Sequence, residues 1–173
     1  MNETDKWNPL DSSTTGGGQN SAAEIQLPER IGRLVRERPY GVLCTQSQSQ
    51  PYGSLVALAA TDDLTTFVFS TPIATRKYRS LSECDHVALV IDSRSGAPAE
   101  LMNVEAVTVT GRASVVALGP DFERWASLLI ARHPHLAAFV RAESSALIRV
   151  EVVRYFHVCR FQEVHQWVPS RTM

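Results

Sequence analysis

The feature that most constrains this chain is a change of apolar period near residue 40, from helical spacing to the two-residue spacing of strands, which then recurs through much of the remaining sequence. Val107, Val109, Gly111, Ala113 and Val115 alternate with Thr108, Thr110 and Arg112, the pattern of a long half-buried strand. Before it, apolar runs at Tyr40 to Thr45, Ser54 to Ala60 and Thr66 to Ser70 are separated by the polar turns Ser47-Gln48-Ser49-Gln50-Pro51 and Thr61-Asp62-Asp63. Three short strands at about 12-residue spacing predict an antiparallel meander. Val87 to Asp92, Ala146 to Phe161 and Val164 to Val168 add further strands, the second through Ile148, Val150 and Val152 set against Arg149 and Glu151.

Helical spacing occurs at the margins of this pattern. Ile31, Leu34 and Val35 form one stripe in a helix expected to open at Pro28 and to stop at Pro39. Thr75 is placed to cap a second helix in which Tyr78 and Leu81 fall three apart. Gly119-Pro120-Asp121 starts a third, with Phe122, Trp125, Leu128 and Leu129 as its apolar stripe, and Pro134 to Ala142 adds a further helical piece. Six or seven strands joined mostly by short turns, with three or four helices, predict a mainly β (α+β) chain: an antiparallel barrel with peripheral helices.

Residues 1–21 carry few apolar side chains and include Gly16-Gly17-Gly18, so a mobile tail is expected there and one folded domain over 22–173. The glycine run follows no strand and lacks a Lys-Ser/Thr sequel, which argues against a phosphate loop. Apolar residues make up 44% and charged residues 20%, and 17 Lys+Arg against 18 Asp+Glu leave a formal charge of −1, which favours neither nucleic acid nor an anionic membrane. The longest apolar run, Leu55 to Ala60, is far short of a membrane span, and no signal-like segment opens the chain, so a cytoplasmic location is expected. Cys44, Cys84 and Cys159 show no paired spacing and read as free thiols.

The chemistry concentrates in Phe67-Val68-Phe69-Ser70-Thr71-Pro72-Ile73-Ala74-Thr75-Arg76-Lys77. A strand delivers two hydroxyls, and a helix then begins with a third hydroxyl followed by adjacent guanidinium and ammonium groups. Cations at a helix N-terminus oppose its partial positive charge unless an anion is present, so the segment is either a capped surface helix with solvated bases or a phosphomonoester site.

This segment, together with Gln50-Pro51-Tyr52-Gly53-Ser54-Leu55-Val56, Val87-Ala88-Leu89-Val90 and Val109-Thr110-Gly111-Arg112-Ala113, resembles the pyridoxamine 5′-phosphate oxidase-like FMN-binding split barrels, over roughly Ile31 to Val116. The resemblance implies a split β-barrel with FMN at a homodimer interface. It implies that Arg76 and Lys77 hold the cofactor phosphate, with Ser70, Thr71 and Thr75 contributing hydroxyls from the same segment, and that Ser54, Leu55 and Val56 run beside the isoalloxazine ring. Trp167 is a candidate aromatic wall of the pocket, or a half-buried aromatic on a terminal strand. The implied activity is flavin-dependent oxidoreduction of a small molecule, with a non-catalytic flavin or haem carrier or sensor as the alternative and a deazaflavin as a less favoured cofactor. The Arg and Lys that true pyridoxamine-phosphate oxidases carry on the strand matching Ser54 to Ala59 are missing, as are the Gln near Ala106 and the C-terminal Arg-x-His clamp, so a different substrate is expected.

No metal site is expected. His133 and His135 flank Pro134, which breaks helical register, and read as surface loop. His157 and Cys159 share one face of the last long strand and are candidates for a metal or a haem iron, but no second ligand cluster is evident near them in the sequence. No acid, base or nucleophile can be assigned.

Overall fold

A computed structural model describes residues 21–94, 103–159 and 163–170, with side chains described from residue 26 onward. The elements in chain order are α1 (Ser21–Glu37), β1 (Tyr40–Ser47), β2 (Gln50–Ala57), β3 (Ala59–Ala60), β4 (Thr66–Pro72), α2 (Arg76–Glu83), β5 (His86–Asp92), β6 (Ala106–Val115), α3 (Pro120–Arg132), a 3-10 turn (Pro134–Leu136), α4 (Ala137–Val140), β7 (Ser145–Cys159) and β8 (Glu163–Trp167). The expected tail lies outside the described residues except for Ser21, which is helical. Residues 160–161 of the expected last long strand also lie outside them.

All strand pairs are antiparallel, in the order β2-β1-β5-β6-β7-β4-β3, with β8 on the free side of β7. The two ends of that path, β2 and β3, are separated in the chain by Leu58 alone. One bent strand thus pairs β1 with its first half and β4 with its second, which closes the sheet into a barrel. The expected meander is present but bent at Leu58, with β1 pairing β2 and β4 pairing β3, both antiparallel. After Leu58 the chain leaves that side of the barrel, and β4 pairs with β7 along its full length, from Thr66↔Glu151 to Pro72↔Ser145. The physical reason lies in the break itself: the Leu58 amide donates to the Pro39 carbonyl (3.2 Å) and its carbonyl meets His133 Nε2 (3.0 Å), so neither group continues a ladder.

His133 is therefore not a surface-loop residue. It ends α3, is buried, and satisfies the carbonyl of the residue that breaks the sheet; His135 is exposed as expected. The neighbouring Arg132 donates through Nη2 to the carbonyls of Val35, Arg36 and Arg38 at 2.7–2.9 Å, satisfying the end of α1. α1 itself begins seven residues before Pro28, which lies inside it; the turn upstream of the proline brings Leu27 against the core, contact that offsets the missing backbone bond.

Inward-facing Leu43, Val56, Phe67, Phe69, Leu89, Val107, Ile148 and Tyr155 fill the barrel, and Ile31, Leu34 and Val35 of α1 pack onto them. On the outer side of β4 and β7, Val68 and Leu147 meet Phe122, Trp125, Ala126 and Leu129 of α3. β4 is consequently buried on both faces, which explains why Phe67-Val68-Phe69 is an unbroken apolar run rather than an alternation. Gly111 marks the register shift between β6 and β7. A Cβ there would stand 2.6 Å from the Glu151 carbonyl oxygen, so the close approach of the two backbones requires glycine.

Candidate functional site

The geometry around β4 and α2 is assembled largely by short-range hydrogen bonds. Thr75 caps α2 with extended backbone, its Oγ1 accepting from the Tyr78 amide at 3.4 Å. The same hydroxyl donates to the Pro72 carbonyl at 2.8 Å. Having given its proton there, Thr75 is the acceptor in its 3.1 Å contact with Thr71, whose hydroxyl donates. Thr71 is fully buried, and Ser70 donates to the Ala146 carbonyl at 3.2 Å. Ser70, Thr71 and Thr75 thus brace the β4–α2 corner against β7. Thr75→Ala is expected to destabilise the fold by about 1 kcal/mol and Thr75→Ser by much less, as read from denaturant unfolding midpoints.

Arg76 and Lys77 follow this brace at the first two helical positions, where α2 carries no acidic residue. Among the described residues neither cation has a carboxylate within ion-pair distance. The Arg76 guanidinium lies over the Tyr52 ring, 4.9 Å from its centroid. Partial burial lowers the Lys77 pKa from the ordinary amine value. The backbone amides of these first-turn residues point the same way as the helix dipole, toward the N-terminal end. The corner therefore presents two basic side chains and helix-end N–H groups with no built-in anion.

β2 stands beside it. Its two-residue period places Tyr52, Ser54 and Val56 on one face and Leu55 on the other, where Leu55 is 67% exposed. Val56 belongs to the barrel core, so only its backbone is available to a ligand. Ser54 Oγ is buried and has no hydrogen-bond partner among the described residues. β2 pairs with β1 alone, leaving its other edge unpaired along most of its length, and it contacts β4. The structure thus brings Ser54, Leu55 and Val56 into the neighbourhood of Thr71, Thr75, Arg76 and Lys77. Tyr52 belongs to this group as well, through its ring under Arg76, and no local signal in the sequence announces it.

Trp167 is not brought there within one chain. It packs on Tyr155, ring centroids 5.1 Å apart, while Thr71 pairs with Ala146, nine residues earlier on β7 and roughly 30 Å along the strand. His157 is fully buried, with Nε2 3.6 Å from Glu105 Oε2, so its ring has no face open to a porphyrin in this conformation. A separate cleft lies between the end of β6 and the start of α3, lined by Val115, Leu118, Asp121, Trp125 and Arg149 among others, and contains none of the candidate cofactor-binding residues. Among the described residues no helix is long and apolar enough to cross a membrane.

Several known proteins share this architecture. The heme binding protein from Mycobacterium smegmatis superposes with a TM-score of 0.71 at 16% identity, over 88% of this chain and 60% of that one. HutZ, the heme storage protein from Vibrio cholerae, gives 0.60 at 16% identity, over 82% and 94%. A FAD-binding protein from Mesorhizobium loti gives 0.59 at 12% identity, over 75% and 90%. The chain thus spans only three fifths of the length of the mycobacterial relative, and at these identities the likeness is one of fold. No curated protein matches the sequence significantly. The family model described as pyridoxamine 5′-phosphate oxidase, however, matches residues 27–159, which takes in the chain from within α1 through the end of β7 and includes the whole β2–β4–α2 corner. With three quarters of its length matched and the split-barrel topology in place, the chain belongs to the pyridoxamine 5′-phosphate oxidase family.

Proposed function

We propose that this protein binds FMN at the β2–β4–α2 corner and acts as a flavin-dependent oxidoreductase on a small molecule other than pyridoxamine phosphate. The observation that carries the reading is the pair Arg76 and Lys77, set at the start of a helix with no carboxylate partner among the described residues. The residues fit the group: a phosphate supplies the charge that this corner lacks, and a ring edge with hydrogen-bonding atoms supplies a partner for Ser54 Oγ, which is buried without one. Arg76 and Lys77 would hold the phosphate, with the Thr71–Thr75 brace fixing the helix start. The open edge of β2 would meet the ring. Bound flavin supplies hydride or electron transfer. The protein's own part is to position the phosphate, hydrogen-bond the ring edge and exclude water from one side. The absence of Arg and Lys from the strand segment Ser54 to Ala59 supports a different substrate.

A second copy of the chain closes the pocket in this reading. Leu55 and Ile73, on β2 and beside α2, expose apolar surface next to the basic corner, and Trp167 reaches a pocket only from a partner, since its own chain holds it at the other end of β7. The haem carrier reading draws support from the mycobacterial and Vibrio relatives, but the burial of His157 removes the strand histidine as an axial ligand in this conformation.

The test is direct. Protein purified without added cofactor, or reconstituted with FMN, is expected to show flavin absorption, and mass spectrometry of the released ligand to give FMN. A colourless protein that takes up no FMN, or one with a Soret band and no flavin, overturns the proposal.

A further inference from the structure

The β7–β8 hairpin carries a second cluster of chemistry, remote from the basic corner. Direct cross-strand partners in an antiparallel ladder point to the same side of the sheet, and here three such pairs follow one another: Tyr155↔Trp167, His157↔His165 and Cys159↔Glu163. The first is an aromatic contact. The other two place two imidazoles, a thiol and a carboxylate together on one face. Cys159 Sγ lies 3.7 Å from Glu163 Oε2, and His165 Nε2 lies 3.9 Å from the same oxygen. One ligand atom from each of Cys159, Glu163 and His165 falls within 4.8 Å of the other two.

We infer that Cys159, Glu163 and His165 form a binding site for a divalent transition metal of the zinc class. Tetrahedral zinc with bonds of about 2.0–2.3 Å needs its donors about 3.3–3.8 Å apart, so two of the three separations are already close to the requirement and the third needs a closure of about an ångström at most. The mixed sulfur, nitrogen and oxygen set suits zinc and its neighbours and is unlike the all-oxygen shells of calcium and magnesium. Three protein donors leave the fourth position to water. Glu163 and His165 are about half exposed, at 49% and 48%, while Cys159 is buried, so an ion reaches the site from solvent and meets the thiol last.

The surroundings are compatible with a cation. Among the described residues the Arg30 guanidinium acts on the Cys159 thiol, and Glu105 pairs with Arg30 at 2.6 Å, offsetting its charge. Neighbouring His157 is fully buried, neither ring nitrogen has a hydrogen-bond partner among the described residues, and Nε2 lies 3.6 Å from Glu105 Oε2. On coordination the Cys159 S–H bond breaks heterolytically: the sulfur keeps the electron pair and donates it to the metal, and the proton goes to solvent. No oxidant or reductant is needed.

The experiment uses the full chain, stripped of any affinity tag, freed of metal with a chelator and titrated with Co²⁺ and then Zn²⁺. One Co²⁺ per chain is expected, with the near-ultraviolet charge-transfer absorption of a cobalt–thiolate bond that Zn²⁺ abolishes. Cys159→Ser is expected to remove that absorption, and His165→Ala and Glu163→Gln to weaken uptake at least tenfold, a lower bound set by what the loss of even a supporting group does. Cys84→Ser is expected to leave both unchanged. Because residues 163 and 165 are exposed, their variants retain the fold and keep the test decisive if Cys159→Ser does not. Absence of stoichiometric uptake, or uptake unchanged in His165→Ala and Glu163→Gln, overturns the inference.

Discussion

The double variant Arg76→Ala/Lys77→Ala is expected to lose FMN through purification while keeping its fold. Hydrogen bonds to charged groups contribute about 1.5–3 kcal/mol each, so removing two phosphate-binding cations weakens binding by about 3–6 kcal/mol, or roughly 10² to 10⁴-fold. The structural consequence is small because Arg76 is exposed and neither cation serves an ion pair among the described residues. Relieving positive charge at the start of α2 also favours the helix slightly. Riboflavin, which lacks the phosphate, separates a lost clamp from a damaged pocket. The variant is expected to bind riboflavin as the parent does and to bind FMN no more tightly than riboflavin. FMN affinity unchanged in the variant, measured by fluorescence quenching, would place the phosphate elsewhere.

Phe69→Ala is expected to have the largest effect on stability, a loss of about 3–5 kcal/mol in denaturant unfolding. Phe69 is 0% exposed inside the barrel, opposite Ile148 of β7, and its removal leaves a void that closed strands on both sides cannot readily collapse to fill. Against a total stability of typically 5–15 kcal/mol, that brings the protein close to its unfolding threshold. The same strand carries Ser70 and Thr71 immediately after Phe69, so loosening it also disturbs the corner that positions Arg76 and Lys77. Phe69→Leu, which retains much of the volume, is expected to cost about half as much or less. A cost below about 1 kcal/mol for Phe69→Ala would mean that the barrel interior is far less tightly packed than described.

Much of the basic corner was legible without a structure because its determinants are neighbours in the chain. A threonine before a helix, two cations in the first turn and hydroxyls at the end of an apolar strand act over a few residues; the cap and the Thr71–Thr75 contact link Thr71, Pro72, Thr75 and Tyr78, while the Ser70 bond to Ala146 is the long-range part of the brace. Tyr52 is 24 residues from Arg76, and nothing local announces that the two will stack. His133 illustrates the opposite failure. A histidine before a proline reads as loop, and in local terms it is one, ending α3; its burial arises from a carbonyl 75 residues away that a broken strand left without a partner.

The hairpin cluster divides in the same way. The strand period alone places His157 and Cys159 on one face, but it cannot say what faces them. Only the register of β7 against β8 puts His165 and Glu163 opposite, and a shift of one residue would turn both away.

By itself, then, the sequence determined which segments are strands, which face of each is apolar, where α2 begins and that two cations stand unopposed at its start, since all of these follow from steric and hydrogen-bonding preferences over a few residues. The tertiary structure decided which strands adjoin. It set β7 on the other edge of β4 from β3, closed the barrel through Leu58, and gathered Tyr52, Ser54 and the α2 corner into one place. Backbone hydrogen bonds are alike in every strand and so cannot select a partner. The selection comes from burying Phe67 and Phe69 on one side of β4 and Val68 on the other, a choice settled only when the whole core packs at once.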